Sequence, residues 1–306
     1  MATATSQYAR ERRGGLGMRI LIAGCAGMLG RDVERAGTRA KLELVGMDLP
    51  ELDIVDPRSV AAALERTAPD AVVNCAAWTD VDGAETHFEQ AHAVNATGAG
   101  NLARAAAARG VPLLHLSTDY VFDGRAPRDA GGAARPYVES DATGPRSVYG
   151  ESKLAGEREV LAASPRHTVV RTAWLYGVDG RNFVDTMLRL ADERETVRVV
   201  DDQVGSPTWS GHLAPALLGL LEREVRGLVH LTGAGAVSWC GFAREIFRQA
   251  ERACAVEAIA TAEMPRPAER PAWSVLESER EEVLPMPDWR EGLAGYLAAR
   301  AGMMRA

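Results

Sequence analysis

The chain predicts an α/β fold, a doubly wound parallel sheet followed by a smaller C-terminal α+β lobe. Three observations carry that prediction. From Met18 onward, short apolar runs alternate with longer helical stretches. The runs are continuous Val, Ile and Leu rather than alternating apolar and polar, as in a parallel sheet covered on both faces. A glycine-rich turn stands directly after the first run. Such a sheet binds its ligand beyond the carboxyl ends of the strands.

Residues 18–24 (MRILIAG) read as a buried strand and are followed by a helix over 27–39. Residues 42–48 give a second strand ending at Asp48, 57–68 a helix, 70–77 a strand, and 86–110 one long helix. Residues 111–119 are the next strand, 146–163 a helix with Glu and Lys on its polar side, and 167–177 a strand again. Between them, 124–145 is rich in Gly, Pro, Ala and Arg without periodicity, a loop long enough to be functional or mobile. After about residue 178 the alternation weakens. Short strands at 196–200 and 227–232, helices at 182–193, 210–223 and 237–250, and a last helix over 289–299 suggest the smaller lobe. The expected division is an extension over 1–17, a nucleotide-binding domain over 18–177, and a lobe over 178–306 that mainly binds substrate, some of whose segments return to the first domain.

Composition narrows the function. The 46% hydrophobic and 25% charged residues are those of an ordinary globular protein. A net charge of −7 lacks the basic face of a general nucleic-acid binder. No apolar run approaches the ~20 residues of a membrane span, and the opening segment has no apolar core of a secretory signal. That extension reads as floppy, with an oligomer-contacting arm as the alternative. Cys25, Cys75, Cys240 and Cys254 form no CxxC pair and fit reduced thiols, hence a cytoplasmic protein. The six histidines show no metal-ligand spacing, no metal site is expected, and His115 reads as an ordinary strand histidine.

Chemistry concentrates in three motifs. Gly24-Cys25-Ala26-Gly27-Met28-Leu29-Gly30 follows strand one and opens a helix. Glycines there let the backbone turn sharply and approach a pyrophosphate, whose charge meets the helix N-terminus. Asp48, ending strand two, is placed to accept from adenosine ribose hydroxyls, which favours NADH, whereas Arg31 could pair with the 2′-phosphate of NADPH, so the preference stays open. Asp53 and Ile54 would lie near the adenine, with helix capping as the alternative for Asp53 and Asp56. The second motif, Tyr149-Gly-Glu-Ser-Lys153, puts tyrosine and lysine on one helix face. A phenol titrating near 10 needs a nearby cation to exchange protons at neutral pH. The third, Leu116-Ser117-Thr118-Asp119-Tyr120, ends a strand where a sheet ligand would bind, and Thr118 offers a hydroxyl to orient a carbonyl.

With these motifs the sequence resembles the extended short-chain dehydrogenase/reductases, a Rossmann-type family, and among them the dTDP-4-dehydrorhamnose reductase and dTDP-4-keto-6-deoxyhexose 4-ketoreductase group. The resemblance runs from Met18 almost to the C-terminus. Beside the glycine loop it rests on residues 74–85, VNATGAGNL (94–102, with Asn95), LSTDYVFDG (116–124), 139–157, RTAWLYG (171–177), 182–188, DDQVGSPT (201–208) and RPAWSVL (270–276).

The resemblance implies hydride delivery from NADPH or NADH to C4 of a dTDP-linked keto sugar. Tyr149 would give a proton to the developing alkoxide, Lys153 would lower the tyrosine pKa and bind ribose, and Thr118 would polarise the carbonyl. Ala76, Ala77, Thr79 and Asn95 would join the cofactor site. Val81, Asp119, Tyr120, Trp174, Asn182 and Phe183 would meet the sugar, with Gln203, Pro207 and Thr208 shaping the wall; ordinary core is the alternative for Trp174, Phe183 and Pro207. Two departures stand out. An insertion around Arg125–Pro136 lengthens the loop beside the pocket, and Gly211 stands where some relatives carry a glutamate that binds magnesium at a dimer interface. A homodimer remains possible on this reading. An epimerase or dehydratase on the same fold, or a cofactor-binding regulatory subunit, are the competing functions.

Overall fold

The computed structural model describes residues 17–303; the expected extension falls almost wholly outside them. Six parallel strands form one sheet: β1 (Arg19–Ala23), β2 (Glu43–Met47), β3 (Ala71–Asn74), β4 (Leu113–Thr118), β5 (Thr168–Thr172) and β10 (Gly227–His230), in the order β10-β5-β4-β3-β1-β2. Alternate side chains enter opposite layers, as a period of two requires. Ile20, Ile22, Val73, Leu114 and Val170 face one layer with Val33 of α1 (Met28–Arg39) and Leu213, Leu217 and Leu221 of α8 (Ser210–Glu222). Leu21, Ala23, Val72, Leu113 and Val169 face the other, against α2 (Pro57–Thr67) and α5 (Ala99–Ala108). Both faces are therefore dry, which is why these strands read as unbroken apolar runs. β1 lies between β2 and β3, so the chain reverses direction across the sheet there and opens a crevice at the carboxyl ends.

The stretch expected as one long helix divides. After a short α3 (Val81–Ala84) come α4 (Phe88–His92), a π-helical segment Ala93–Gly98, and then α5. Helix α6 (Val148–Ala163) lies against the π segment, so close that a Cβ on Gly156 would fall 2.1 Å from the Asn95 carbonyl oxygen. Its start is capped by Ser147, whose hydroxyl accepts from the Gly150 amide at 3.2 Å.

The strand expected over 167–177 also divides. β5 ends at Thr172, and Trp174 takes a left-handed φ of 47°. The chain then leaves the sheet for β6 (Leu175–Tyr176), which pairs with β9 (Thr208–Trp209). In the C-terminal part, α7 (Phe183–Glu193), β7 (Thr196–Val200), β8 (Val204–Gly205), β11 (Val237–Ser238), α9 (Trp239–Gln249), β12 (Ala255–Ile259), β13 (Trp273–Ser274) and α10 (Trp289–Met303) build small sheets of two or three strands around an aromatic core. α8 and β10 instead join the six-stranded layer, and the buried Ser210 hydroxyl donates to Asp32 of α1 at 2.5 Å. The inserted loop closes on itself through an Arg128–Ala134 bridge. It is anchored by Tyr137, whose hydroxyl lies 2.7 Å from the Asp123 carboxylate.

Candidate active site

At the crevice lies a cleft of about 740 Å³. The glycine loop forms its floor. Gly24, at φ +79°, packs so tightly that a Cβ would sit 2.6 Å from the Ala76 amide nitrogen, and one on Gly30 would sit 2.3 Å from the Gly24 carbonyl. α1 starts at Gly27 with no side-chain cap and no acidic residue in its first turn. Its first amides and positive dipole end are thus left for an anion, and this cradle fits a dinucleotide pyrophosphate. Asp48 accepts from the Ala26 amide at 3.0 Å and the Leu49 amide at 2.9 Å, so its carboxylate braces the loop. Arg31 donates through Nε to the Ala26 carbonyl at 3.1 Å and does not line the cleft. Asp53 and Ile54 do line it, while Asp56 caps α2.

Thr118, Asp119, Tyr120, Tyr149 and Lys153 all face this cleft, with Ala76, Ala77, Thr79 and Val81 along the loop after β3. Tyr149 is brought in by the register of α6 against the turn after β4. A Cβ at Gly150 would lie 2.2 Å from the Tyr120 carbonyl oxygen, so only glycine lets that turn of helix approach. The Tyr120 and Tyr149 rings meet edge to face with centroids 5.5 Å apart. The Thr118 hydroxyl, beside the Tyr149 phenol in the cleft, donates to the Asp119 carboxylate at 3.0 Å. Lys153 Nζ donates to the Leu116 carbonyl at 2.6 Å.

The electrostatics correct one expectation. Burial pushes the Tyr149 phenol up to about 12, with Asp119 acting in the same direction and the Thr118 hydroxyl against it. The expected depression by Lys153 is absent, because burial outweighs it and the ammonium is turned to the Leu116 carbonyl. Burial also brings Lys153 down to about 8 against the opposing pull of Glu157, and raises Asp119 to about 6. At neutral pH the phenol keeps its proton, as an acid must.

Seven predicted residues stand away from the cleft lining, Arg31 among them. Asn95 is buried behind it, accepting from the Trp78 amide at 2.9 Å and donating to the Trp78 carbonyl and Ser152, so it clamps the Trp78 loop to α6. Asn182 caps α7 by accepting from the Asp185 amide at 3.0 Å. Phe183 packs on Trp239 with centroids 4.5 Å apart, one layer back. Gln203 donates to Thr261, and Thr208 is buried in β9 and bonded to the Ser206 carbonyl. Pro207 faces Gly233, where a Cβ would meet its carbonyl oxygen at 2.3 Å. The DDQVGSPT segment acts on the wall indirectly. Its Gly205 leaves room for the Trp174 indole, and the Gln203 carbonyl accepts from the Trp239 amide at 3.3 Å.

Trp174 itself lines the cleft and stacks face to face on Trp239, with centroids 3.5 Å apart and planes 5° from parallel. The sequence reading missed Trp239, Arg181, Trp78 and Cys75, all of which line the cleft. No local motif marks Trp239, which arrives from 65 residues beyond Trp174 in a helix that reads as ordinary core.

Comparison with known proteins matches residues 18–301 to the family described as RmlD substrate binding domain. This chain belongs to that family. A dTDP-4-dehydrorhamnose reductase of Mycobacterium tuberculosis is 46% identical to it over 92% of this chain and 93% of the relative. A probable dTDP-4,6-dihydroxy-2-methyloxan-3-one 4-ketoreductase of Streptomyces antibioticus is 42% identical over 90% of this chain and 93% of the relative. A crystal structure of dTDP-4-dehydrorhamnose reductase from Bacillus anthracis in complex with NADP superimposes with a TM-score of 0.88 at 35% identity, covering 92% of this chain and 99% of that one. Across the RmlD family member described here, no helix among the described residues is long and apolar enough to cross a membrane.

Proposed function

We propose that this chain is a dTDP-4-dehydrorhamnose reductase-like enzyme, an oxidoreductase that uses NADPH or NADH to reduce the C4 ketone of a dTDP-4-keto-6-deoxy sugar. One observation carries the reading: Thr118 at the end of β4 and Tyr149 and Lys153 on α6 open into the same cleft as the glycine cradle. Gly24, Gly27 and Gly30 would hold the pyrophosphate, Asp48, Asp53 and Ile54 the adenosine half, and Ala76, Ala77, Thr79 and Lys153 the nicotinamide ribose. When bound, the reduced nicotinamide supplies hydride to the ketone carbon. The NADP bound by the Bacillus anthracis relative supports NADPH as the cofactor.

The chain's own residues then handle the ketone oxygen. Thr118 donates a hydrogen bond that orients it, and Tyr149 transfers its proton as negative charge develops there. A phenol raised to about 12 is still a much stronger acid than an alcohol, so the transfer runs downhill. Lys153 supplies positive charge toward the phenolate left behind. The stacked Trp174 and Trp239 form an apolar wall for the sugar. In this proposal the six-stranded layer takes the cofactor and the 178-onward segments outside it take the sugar. Cytoplasmic residence, supported by four unpaired cysteines, and a homodimer are part of the same proposal; sedimentation of the full chain tests the latter. The activity is tested by mixing the protein with dTDP-4-keto-6-deoxyglucose, with and without a 3,5-epimerase, and following NADPH oxidation. Stoichiometric oxidation in either arm is expected.

A further inference from the structure

His115 lies on β4, fully buried, behind the cleft. Its two ring nitrogens meet partners of different kind. The Asn74 amide is fixed in orientation because the Ala76 amide donates to Asn74 Oδ1 at 3.1 Å. That turns Asn74 Nδ2 toward His115 Nδ1 at 3.0 Å. An amide nitrogen only donates, so Nδ1 accepts, and the neutral ring carries its proton on Nε2. Burial, reinforced by Lys153, holds the ring well below its ordinary pKa and so keeps it neutral.

The protonated Nε2 faces Lys153 Nζ at 3.5 Å, while the other contact of that nitrogen is the Leu116 carbonyl at 2.6 Å. An ammonium at this position meets one acceptor and one opposed N–H. A neutral amine donates to Leu116 and accepts from His115, and both contacts become favourable. We propose that Asn74 and His115 are a positioning pair that favours the amine form of Lys153 and so set the pH above which the site loses its cation. The inference rests on the reading of Lys153 given above.

The other groups around Lys153 do not explain the same bias. The Cys75 thiol, from the turn after β3, is pushed up to about 12 by burial and stays uncharged. Glu157, four residues along α6, would favour the ammonium, but Arg171 of β5 holds it at 2.8 and 2.7 Å and Ser117 donates to it at 2.5 Å. Tyr149, on the same helix, keeps its proton. The pull toward the amine thus comes from burial and from the opposed donor of His115, and only the second can be switched by changing a tautomer.

Two measurements on the full chain test this. Long-range 1H–15N spectra of ¹⁵N-histidine-labelled protein report the tautomer, with the His115 signal assigned among the six histidines by its loss in His115→Phe. The expected result at neutral pH is Nε2–H with a bare Nδ1. The Asn74→Asp variant should convert it to Nδ1–H, because a carboxylate only accepts. In the pH profile of kcat/KM, the basic limb should move upward by about one unit in His115→Phe and in Asn74→Asp. A wild-type Nδ1–H or imidazolium form overturns the inference whatever the activity of the variants. So does a basic limb that stays in place in both variants, and that result leaves the reductase reading intact. Full turnover in Lys153→Ala would overturn the reductase reading of Lys153 and this inference with it.

Discussion

On the sheet side of the cleft, functional groups sit at strand ends whose register is fixed by parallel ladders and by backbone contacts that exclude a Cβ. On the opposite side, Trp174 and Trp239 are held by ring stacking, a left-handed turn and two-residue strands. The first side fixes where a proton donor stands to within a hydrogen bond. The second offers an apolar surface set by side-chain stacking. The difference teaches that chemistry and substrate choice are supported by different forces here, and substitutions on the two sides should therefore fail differently.

The largest effect is expected behind the sheet side. Arg171 and Glu157 are a bidentate pair with side chains only 4% and 3% exposed. Replacing Arg171 with Met leaves an uncompensated buried carboxylate and should destabilise the fold by about 3–5 kcal/mol; denaturant unfolding would show it, and a loss under 1 kcal/mol would remove this pair from the account. Next, Tyr149→Phe should lower kcat by about 10²–10⁴ while cofactor affinity holds, measured by steady-state kinetics beside NADPH titration.

A third test uses pH. Asp119 has an unpartnered, buried carboxylate oxygen, and its folded value of about 6 stands above the ordinary 3.8. A raised acid contributes stability that is present below 3.8 and is lost as pH rises through about 6. Asp119→Asn keeps the Thr118 bond and should recover roughly 3 kcal/mol at neutral pH, at about 1.4 kcal/mol per unit. Thermal melts across that window should show the wild type losing stability while the variant stays flat. The smallest effect is on the aromatic side. Trp239→Ala should raise KM for the sugar several-fold, about 1 kcal/mol for a lost stacking pair, with kcat little changed. A collapse of kcat instead would mean that both sides position the chemistry.

The same contrast explains what was legible in the sequence. Thr118 and the glycine loop are local patterns at strand ends, and Tyr149 and Lys153 are four residues apart on α6, so short windows reveal them. Trp239 and Arg181 reach the cleft through tertiary packing, and no window of sequence contains their partners. Asn95, Asn182 and Thr208 carry the family pattern yet spend their polar atoms inside the scaffold; a motif alone does not separate lining from bracing. The break at Trp174 was hidden because the buried run of β5 continues without a turn signal through Ala173, Trp174 and Leu175, and the placement of β10 was open because a four-residue buried strand fits either sheet.

The most direct test of the central claim is NADPH oxidation by the wild-type chain with dTDP-4-keto-6-deoxyglucose, with and without the 3,5-epimerase, the sugar product being identified in each arm. One NADPH oxidised per C4 alcohol formed, and none above background in Tyr149→Phe, is the predicted result. A rearranged sugar formed without net NADPH oxidation, or equal turnover in Tyr149→Phe, would contradict it.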